Sequence, residues 1–252
     1  MSLTINADDF GISENVNNAI DYCFDKKLIT RTTLMANMPC AEDAMHRARE
    51  KGYIAKVGLH LNLTAGRPLT EEMAANRVMC DERGFFTADF ARSFKTRMFL
   101  DAATRRAVEK ELRAQLDEYK RLGGMLWHID SHHHVHTDPS IWMVLNRVLK
   151  DYPVTSVRIG RNMYHGGNIV NKIYKKLLNS SIKKFNSYRC ELFGLAEDYK
   201  EYFKTVSDTD KKSIIECQGV EIMVHPLYSE DGTLMDYEDV YPLELGEELD
   251  NF

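Results

Sequence analysis

Short apolar runs alternate with longer segments of helical periodicity along most of the chain. The run LTIN (residues 3–6) precedes a turn, ADDFG, and a helix capped by Ser13, SENVNNAIDYCFDKK. The same order recurs in TTLMAN (32–37) and CAEDAMHRAREKG (40–52), where the final glycine stops the helix. This repetition predicts strands joined by helices, which is typical of a parallel sheet built from βαβ units.

The alternation continues to the last predicted strand. The clearest helix covers residues 101–124, with apolar residues at helical spacing and a double-glycine stop. The other predicted elements are the strands AKVGLHLNL (55–63), MLWHID (125–130), VTSVRIG (154–160) and VEIMVH (220–225), and helices from Pro139 to about Lys150 and around residues 169–178. The stretches from the loop at Gly66 to about residue 100 and from about 178 to 210 give no clear period. The pattern therefore predicts an α/β fold, either a barrel or a doubly wound sheet.

Length and composition narrow the class of protein. A chain of 252 residues is of ordinary length for one α/β barrel domain. Its 33 basic and 38 acidic residues give a net charge of −5, which provides no basic surface for nucleic acid. The apolar runs are too short to span a membrane and the first residues lack signal-peptide features, so we expect a cytoplasmic protein. Five widely spaced cysteines without a C-x-x-C pair predict reduced, mostly buried thiols.

Polar side chains follow several predicted strands at the point where each strand ends. Because parallel strands present their carboxyl ends on one face, residues distant in sequence are expected to meet there. The residues are Asp8, Asp9, His60, Asp130, His132, Arg158 and His225.

The segment HIDSHHHVH (128–136) holds five of the nine histidines. Clustered imidazoles beside a carboxylate are a common way to build a metal or catalytic site. Because the cluster follows a strand directly, we expect a loop in which one or two histidines bind metal. The others, among them His133, His134 and His136, would contact substrate or orient ligands. Asp130 would orient one imidazole through its second ring nitrogen, or it is simply a satisfied buried carboxylate.

The Asp8-Asp9 pair has two interpretations. Neighbouring carboxylates push their pKa values apart, so one can bind metal while the other accepts a proton from water. Alternatively, the pair only forms the turn and caps the helix. Arg158 lies in an apolar strand and needs a carboxylate partner, either to orient Asp8 or as a structural ion pair.

His60 and His225 each end an apolar strand. Alone, either histidine would more often be a hydrogen-bonded structural residue. A histidine at a strand end beside a metal is, however, a natural general acid, and Pro226 fixes the backbone next to His225.

Six segments together carry a family resemblance: INADDFGIS, TTLMAN, VGLHLNLTAGRPL, HIDSHHHVHTDP, VRIGRN and EIMVHP. In order and spacing they resemble the YdjC/ChbG family of metal-dependent carbohydrate deacetylases. The resemblance implies a distorted (β/α) TIM-like barrel as one domain over residues 1–252, with a C-terminal end that is shortened relative to the family. It also implies removal of N-acetyl groups from amino sugars such as chitooligosaccharides.

The resemblance further implies roles for individual residues. Asp9, His60 and His132 would bind one divalent metal, Asp8 would be the general base and His225 the acid. The family metal is magnesium, whereas imidazole ligands favour zinc on chemical grounds. The partner would be a small oligosaccharide, and a homodimer is the expected assembly. Two other functions stay open: a metal-dependent hydrolase of another amide or ester, and a catalytically silent sugar-binding relative.

Overall fold

The computed structural model describes residues 3–163, 169–187 and 189–237. The strands are β1 Leu3–Phe10, β2 Arg31–Leu34, β3 Val57–Leu61, β4 His128–Ser131, β5 Ser156–Val157, β6 Leu192–Leu195, β7 Val220–Val224, β8 Pro226–Tyr228 and β9 Leu234–Asp236. The helices are α1 Glu14–Asp25, α2 Ala41–Glu50, α3 Glu71–Ala74, α4 Asp89–Arg92, α5 Phe94–Met98, α6 Ala102–Arg121, α7 Pro139–Val148, α8 Ile169–Ile182, α9 Ala196–Phe203 and α10 Asp208–Gln218.

Seven strands form one sheet in the order β5-β4-β3-β2-β1-β7-β6. The registers of β1 with β7, β3 with β4 and β6 with β7 are parallel. Strands β3 and β4 are buried along their whole length, as expected for parallel strands covered on both faces. The parallel sheet with flanking helices confirms the predicted α/β fold and is consistent with a distorted TIM-like barrel.

Contacts within the chain define two compact units. The first takes in the residues up to Asp8, then Glu14–Thr32, and the described residues from Ser156 onwards. The second takes in Asp9–Ser13 and Thr33–Thr155. One of the boundaries therefore falls at the peptide bond between the two adjacent aspartates.

Strand β1 is longer than the predicted run of residues 3–6. It continues through both aspartates to Phe10, whose carbonyl oxygen accepts a hydrogen bond from Met35 N at 2.8 Å. The turn comes afterwards, at Gly11, which has φ +90°. A Cβ there would lie 3.0 Å from the Ala41 Cα, so both the conformation and the close packing require glycine.

Strand β5 is shorter than the predicted strand of residues 154–160. It ends at Val157, so the expectation that Arg158 lies within a strand is wrong. The backbone of Val157 is bonded instead to the Asn186 side chain, with N–Oδ1 at 2.7 Å and Nδ2–O at 3.0 Å. A side-chain amide thus replaces further strand pairing at this position.

The cysteines agree with the predicted reduced, mostly buried thiols. None of the five forms a disulfide in the described residues, and Cys23, Cys80 and Cys190 are buried. Burial raises the pKa of the Cys23 and Cys190 thiols to about 12, which leaves them protonated and unreactive. Among the described helices, none combines the length and the apolar character needed to cross a membrane.

Candidate metal centre and acid–base residues

Two imidazole nitrogens converge on one carboxylate oxygen of Asp9. Asp9 Oδ1 lies 2.8 Å from His132 Nδ1 and 3.1 Å from His60 Nε2. One donor atom from each of these three residues lies within 4.8 Å of the others, an arrangement able to hold a metal ion. We call these three residues the Asp9 cluster. It comprises the three residues predicted as metal ligands, and its two histidines come from β3 and the segment after β4.

The electrostatics of the Asp9 cluster suit a cation. Burial opposes ionisation of Asp9, but hydrogen bonds from His132 and His60 and their charges hold its pKa well below the ordinary value. The ligand carboxylate is therefore ionised, as metal binding requires. The exposed fractions of the Asp9 and His132 side chains are 15% and 14%, so the cluster is reachable from one side.

A second layer of contacts orients His60. Its Nδ1 lies 2.6 Å from Asp130 Oδ1, and the Thr33 hydroxyl donates to Asp130 Oδ2 at 3.1 Å. An ionised carboxylate only accepts, so Nδ1 carries a proton and Nε2 is the ring nitrogen that faces Asp9. On metal binding, Nε2 would give up its proton and its lone pair would become the ligand, while Asp130 keeps the ring in the same orientation. Carboxylate–histidine pairs of this kind are typical behind metal ligands.

The backbone of the cluster segment is strained. His132–Thr137 forms a 3-10 turn in which His133 and His134 have φ of 52° and 53°. Together with Asp9, at φ 65°, they are three of the five non-glycine residues with positive φ in the described part of the chain. Such conformations cost about 1–3 kcal/mol each and gather at functional sites.

The remaining histidines of the segment have different environments. The exposed His133 ring stacks on that of His132 with centroids 4.0 Å apart. The Thr137 hydroxyl donates to the carbonyl oxygen of the half-buried His134 at 2.8 Å. His136 is buried, with Nδ1 2.6 Å from Ser131 Oγ. The geometry thus brings His132, and not these three, to the shared oxygen of Asp9.

Asp8 belongs to a closed ring of buried side chains, which we call the Asp8 ring. Arg158 Nη1 donates to Asp8 Oδ2 at 2.6 Å and Nη2 to Oδ1 at 2.7 Å, a bidentate pair. Arg158 Nε donates to Glu221 Oε1 at 2.5 Å, and Arg31 Nη2 lies 2.7 Å from the same oxygen. Arg31 Nε donates to Asn6 Oδ1 at 2.7 Å, and Asn6 Nδ2 donates to Asp8 Oδ1 at 2.6 Å. Two carboxylates and two guanidinium groups balance, which makes their burial tolerable.

His225 stands beside this ring at the end of β7. Its Nε2 is 3.9 Å from Asp8 Oδ2, and its Nδ1 is 3.7 Å from Asp236 Oδ1. Asp236, from β9, also accepts a hydrogen bond from His225 N at 3.0 Å. The histidine backbone is therefore fixed and its ring has carboxylates on both sides.

Sequence reasoning missed several residues of both groups. Their roles depend on sheet neighbours: Thr33, Asn6, Arg31, Glu221 and Asp236. A signal existed for two of them. Asn6 shares a strand face with Asp8 at spacing i, i+2, and Glu221 is a charged residue inside the apolar run VEIMV.

The chain matches one family model, and the two relatives described below have the same name. The family model for YdjC-like protein matches residues 2–248. A Clostridium beijerinckii protein named carbohydrate deacetylase is 30% identical over 96% of this chain and 88% of its own length. A Vibrio cholerae protein of the same name is 39% identical over 64% of this chain, and the match spans only 60% of that relative.

A solved structure from Enterococcus faecalis has the same fold. That protein is provisionally named a cellobiose-phosphate cleavage protein. It superposes with a TM-score of 0.64 over 99% of this chain and 90% of its own, at 23% sequence identity. At this identity the likeness supports the fold alone.

Proposed function

Because the chain belongs to the YdjC-like family, we propose that it is a metal-dependent hydrolase that removes N-acetyl groups from amino sugars such as short chitooligosaccharides. The observation that carries the proposal is the convergence of His60 and His132 on Asp9 Oδ1, with Asp130 holding His60 from behind. Asp9, His60 and His132 would hold one divalent ion. The imidazole pair favours zinc, and magnesium is the expectation from the family resemblance.

The bound ion would supply Lewis-acid chemistry, polarising the acetamide carbonyl and lowering the pKa of water. The rest of the reaction is proton transfer by this chain's own residues. Their assignment follows from the hydrogen bonds that each residue already makes.

Asp8 is the proposed general base, accepting the proton of the attacking water. A carboxylate has about four lone-pair directions. Within the described residues, Arg158 and Asn6 occupy three of them, two on Oδ1 and one on Oδ2. The remaining direction is on Oδ2, the oxygen nearest to His225 Nε2. The ring would therefore fix the carboxylate while leaving one position at which it can take a proton.

His225 is the proposed general acid. An amide nitrogen cannot leave as an anion, so the departing sugar amine needs a proton. His225 Nε2 faces Asp8 and Nδ1 faces Asp236, so a protonated ring would donate to the amine from Nε2. Arg158 is then a positioning residue, because it acts on the reaction through Asp8.

Substrate, compartment and assembly are parts of the same proposal. A small oligosaccharide is the expected ligand, and a cytoplasmic location, a homodimer and a single domain stay predictions.

The direct test is acetate release from N,N′-diacetylchitobiose. Purified protein is stripped of metal and resupplied in parallel with zinc, magnesium, manganese or cobalt. Acetate that appears only with metal supports the deacetylase and identifies the working ion. Protein that binds metal but releases no acetate with any ion would contradict the proposal. Assays of other amides and esters, and a binding assay with the intact sugar, then separate the two alternative functions.

A further inference from the structure

Ser131 and His136 close the turn that carries His132. The Ser131 hydroxyl oxygen accepts a hydrogen bond from His136 N at 2.9 Å and lies 2.6 Å from His136 Nδ1. One hydroxyl group thus contacts both the backbone and the ring of a residue five positions further along the chain. Both residues are buried, with exposed fractions of 0% and 1%. We call these two contacts the Ser131–His136 clamp.

The clamp ties the turn to the sheet. Ser131 is the last residue of β4 and is in register with Leu61 of β3. The preceding pair in that register is Asp130 with His60, so the strands that hold Ser131 also place another residue of the Asp9 cluster. Because residues on paired strands are held more precisely than residues on loops, Ser131 is a fixed point from which the turn can be held.

The turn between the two clamped residues is strained. His133 and His134 have left-handed φ of 52° and 53°, a conformation that is unfavourable for residues other than glycine. It persists only where the surrounding structure imposes it. Returning either residue to the ordinary helical region would change the separation of Ser131 and His136 and break their two contacts. The clamp therefore opposes relaxation of the turn.

The far end of the turn is fixed as well. Asp138 N donates to the Val135 carbonyl oxygen at 3.0 Å, and Arg97 Nε donates to Asp138 Oδ1 at 2.6 Å. Both Val135 and Asp138 are buried. These contacts hold the last residues of the turn, and the clamp joins them back to the strand from which His132 departs.

We propose that Ser131 and His136 are positioning residues that hold His132 at Asp9 and thereby preorganise the Asp9 cluster for a metal ion. The clamp acts through His132, whose Nδ1 lies 2.8 Å from Asp9 Oδ1. Without the clamp, part of the population would have a relaxed turn with His132 withdrawn. Metal affinity then falls in proportion to the fraction of molecules that stay competent to bind. This role rests on the proposed metal-dependent function.

The first experiment is titration calorimetry of metal-stripped protein with zinc and, in parallel, with magnesium. Ser131→Ala removes the hydroxyl of the clamp. Its affinity for the ion that the wild-type protein binds should be about 10- to 100-fold weaker, the usual effect of losing a group that orients metal ligands. Saturating metal should still fill the site, because Asp9, His60 and His132 are unchanged.

Ser140→Ala is the matched control. Ser140 is also buried, and its hydroxyl donates to the Thr96 carbonyl oxygen at 2.8 Å, within the same unit of the chain. Each alanine variant loses a buried hydrogen bond and should have a lower free energy of unfolding, but only Ser131→Ala should bind metal more weakly. Wild-type affinity in Ser131→Ala would overturn the proposal, because Ser131 would then stabilise the fold alone. Equal weakening in both variants would overturn it too, because affinity would then follow stability.

Hydrogen–deuterium exchange of the metal-free protein tests the clamp independently of the ion. Residues 132–136 should exchange faster in Ser131→Ala than in the wild type, and Ser140→Ala should leave their exchange unchanged. Unchanged exchange in Ser131→Ala would show that the clamp does not hold the turn, and the proposal would be wrong. If Ser131→Ala does not fold, His136→Leu, which removes Nδ1, should change exchange and metal affinity in the same directions.

Metal binding by the wild-type protein distinguishes a failure of this role from a failure of the proposed function. If the wild type binds neither ion, the metal-dependent function is wrong and the positioning role fails with it. If the wild type binds metal and the Ser131 and His136 variants bind it equally well, only the positioning role is wrong, and acetate release still decides the function.

Discussion

Asp8 and Asp9 are joined by one peptide bond, yet their surroundings differ in almost every physical respect. Asp9 faces two imidazole nitrogens, has a left-handed backbone and is partly exposed. Asp8 is buried, and arginine and asparagine donors hold both of its oxygens. The difference shows that environment, and not residue type, gives each carboxylate its task.

The two groups also differ in how they depend on a ligand. In the Asp9 cluster, the potential ligand atoms are held together by hydrogen bonds from the two imidazoles to Asp9, and a metal ion would replace the protons of those bonds. In the Asp8 ring, each charge already has a partner of opposite sign, so the ring is complete without a ligand. Variants of the cluster should therefore affect metal binding first, whereas variants of the ring should affect stability or proton transfer.

The largest expected effect comes from His132→Ala. Losing one of three ligands should remove the metal and lower deacetylation to the level of metal-stripped protein. Stability measured without metal should change by only about 1 kcal/mol, because the partly exposed imidazole loses one hydrogen bond to Asp9. His46→Ala, an exposed histidine of α2, is the matched control and should keep both metal and activity. Full metal content in the His132 variant would remove that residue from the ligand set.

Asp8→Asn should keep the metal and lose turnover. Without the base, kcat is expected to fall by about 10²- to 10⁴-fold, the usual contribution of general base catalysis. Metal analysis and kcat measured on the same preparation make the test. Loss of metal would instead place Asp8 with the ligands, and retained turnover would end its proposed role as base.

The sequence predicted strands β1 to β4 and β7 better than the elements around residues 178–210, which include β6. Strand β3, VGLHL, is almost entirely apolar, and β4, HIDS, directly follows the apolar residues of MLWHID, so the sequence indicates both strands. In contrast, β6 has four residues and passes straight into α9. The helix α10 buries only Ile215 among its residues, so it has no apolar period to detect.

Part of the candidate site could also be predicted from residue types alone. Histidine and aspartate carry metal and proton chemistry in their identity, so the Asp9 cluster could be proposed before any geometry was known. Thr33 and Arg31 have no such signature. Their partners, Asp130 and Glu221, are 97 and 190 positions away in sequence. Only the register of the sheet brings each pair together.

Glu221→Leu should lower the free energy of unfolding without affecting metal binding, which would distinguish the Asp8 ring from the Asp9 cluster. It leaves Arg31 and Arg158 buried without their shared carboxylate, and breaking a buried ion pair costs about 3–5 kcal/mol. Glu221→Gln keeps an acceptor oxygen and should cost less. Denaturant unfolding measures both, with the exposed Glu216→Gln as control. Metal content should stay full in the folded fraction, and a loss below about 1 kcal/mol for the leucine variant would mean that the ring does not stabilise the protein.

The smallest effect is expected from Asp130→Asn, which tests the layer behind the Asp9 cluster. Asparagine keeps one oxygen to accept from His60 Nδ1 or from the Thr33 hydroxyl, but it loses the charge that fixes the tautomer. Metal affinity should fall by about 10- to 100-fold, a typical result for such partners, and excess metal should restore activity. Competition with a chelator gives the affinity. If affinity is unchanged, Asp130 is only a satisfied buried carboxylate; if excess metal fails to restore turnover, it acts on catalysis by a route other than His60.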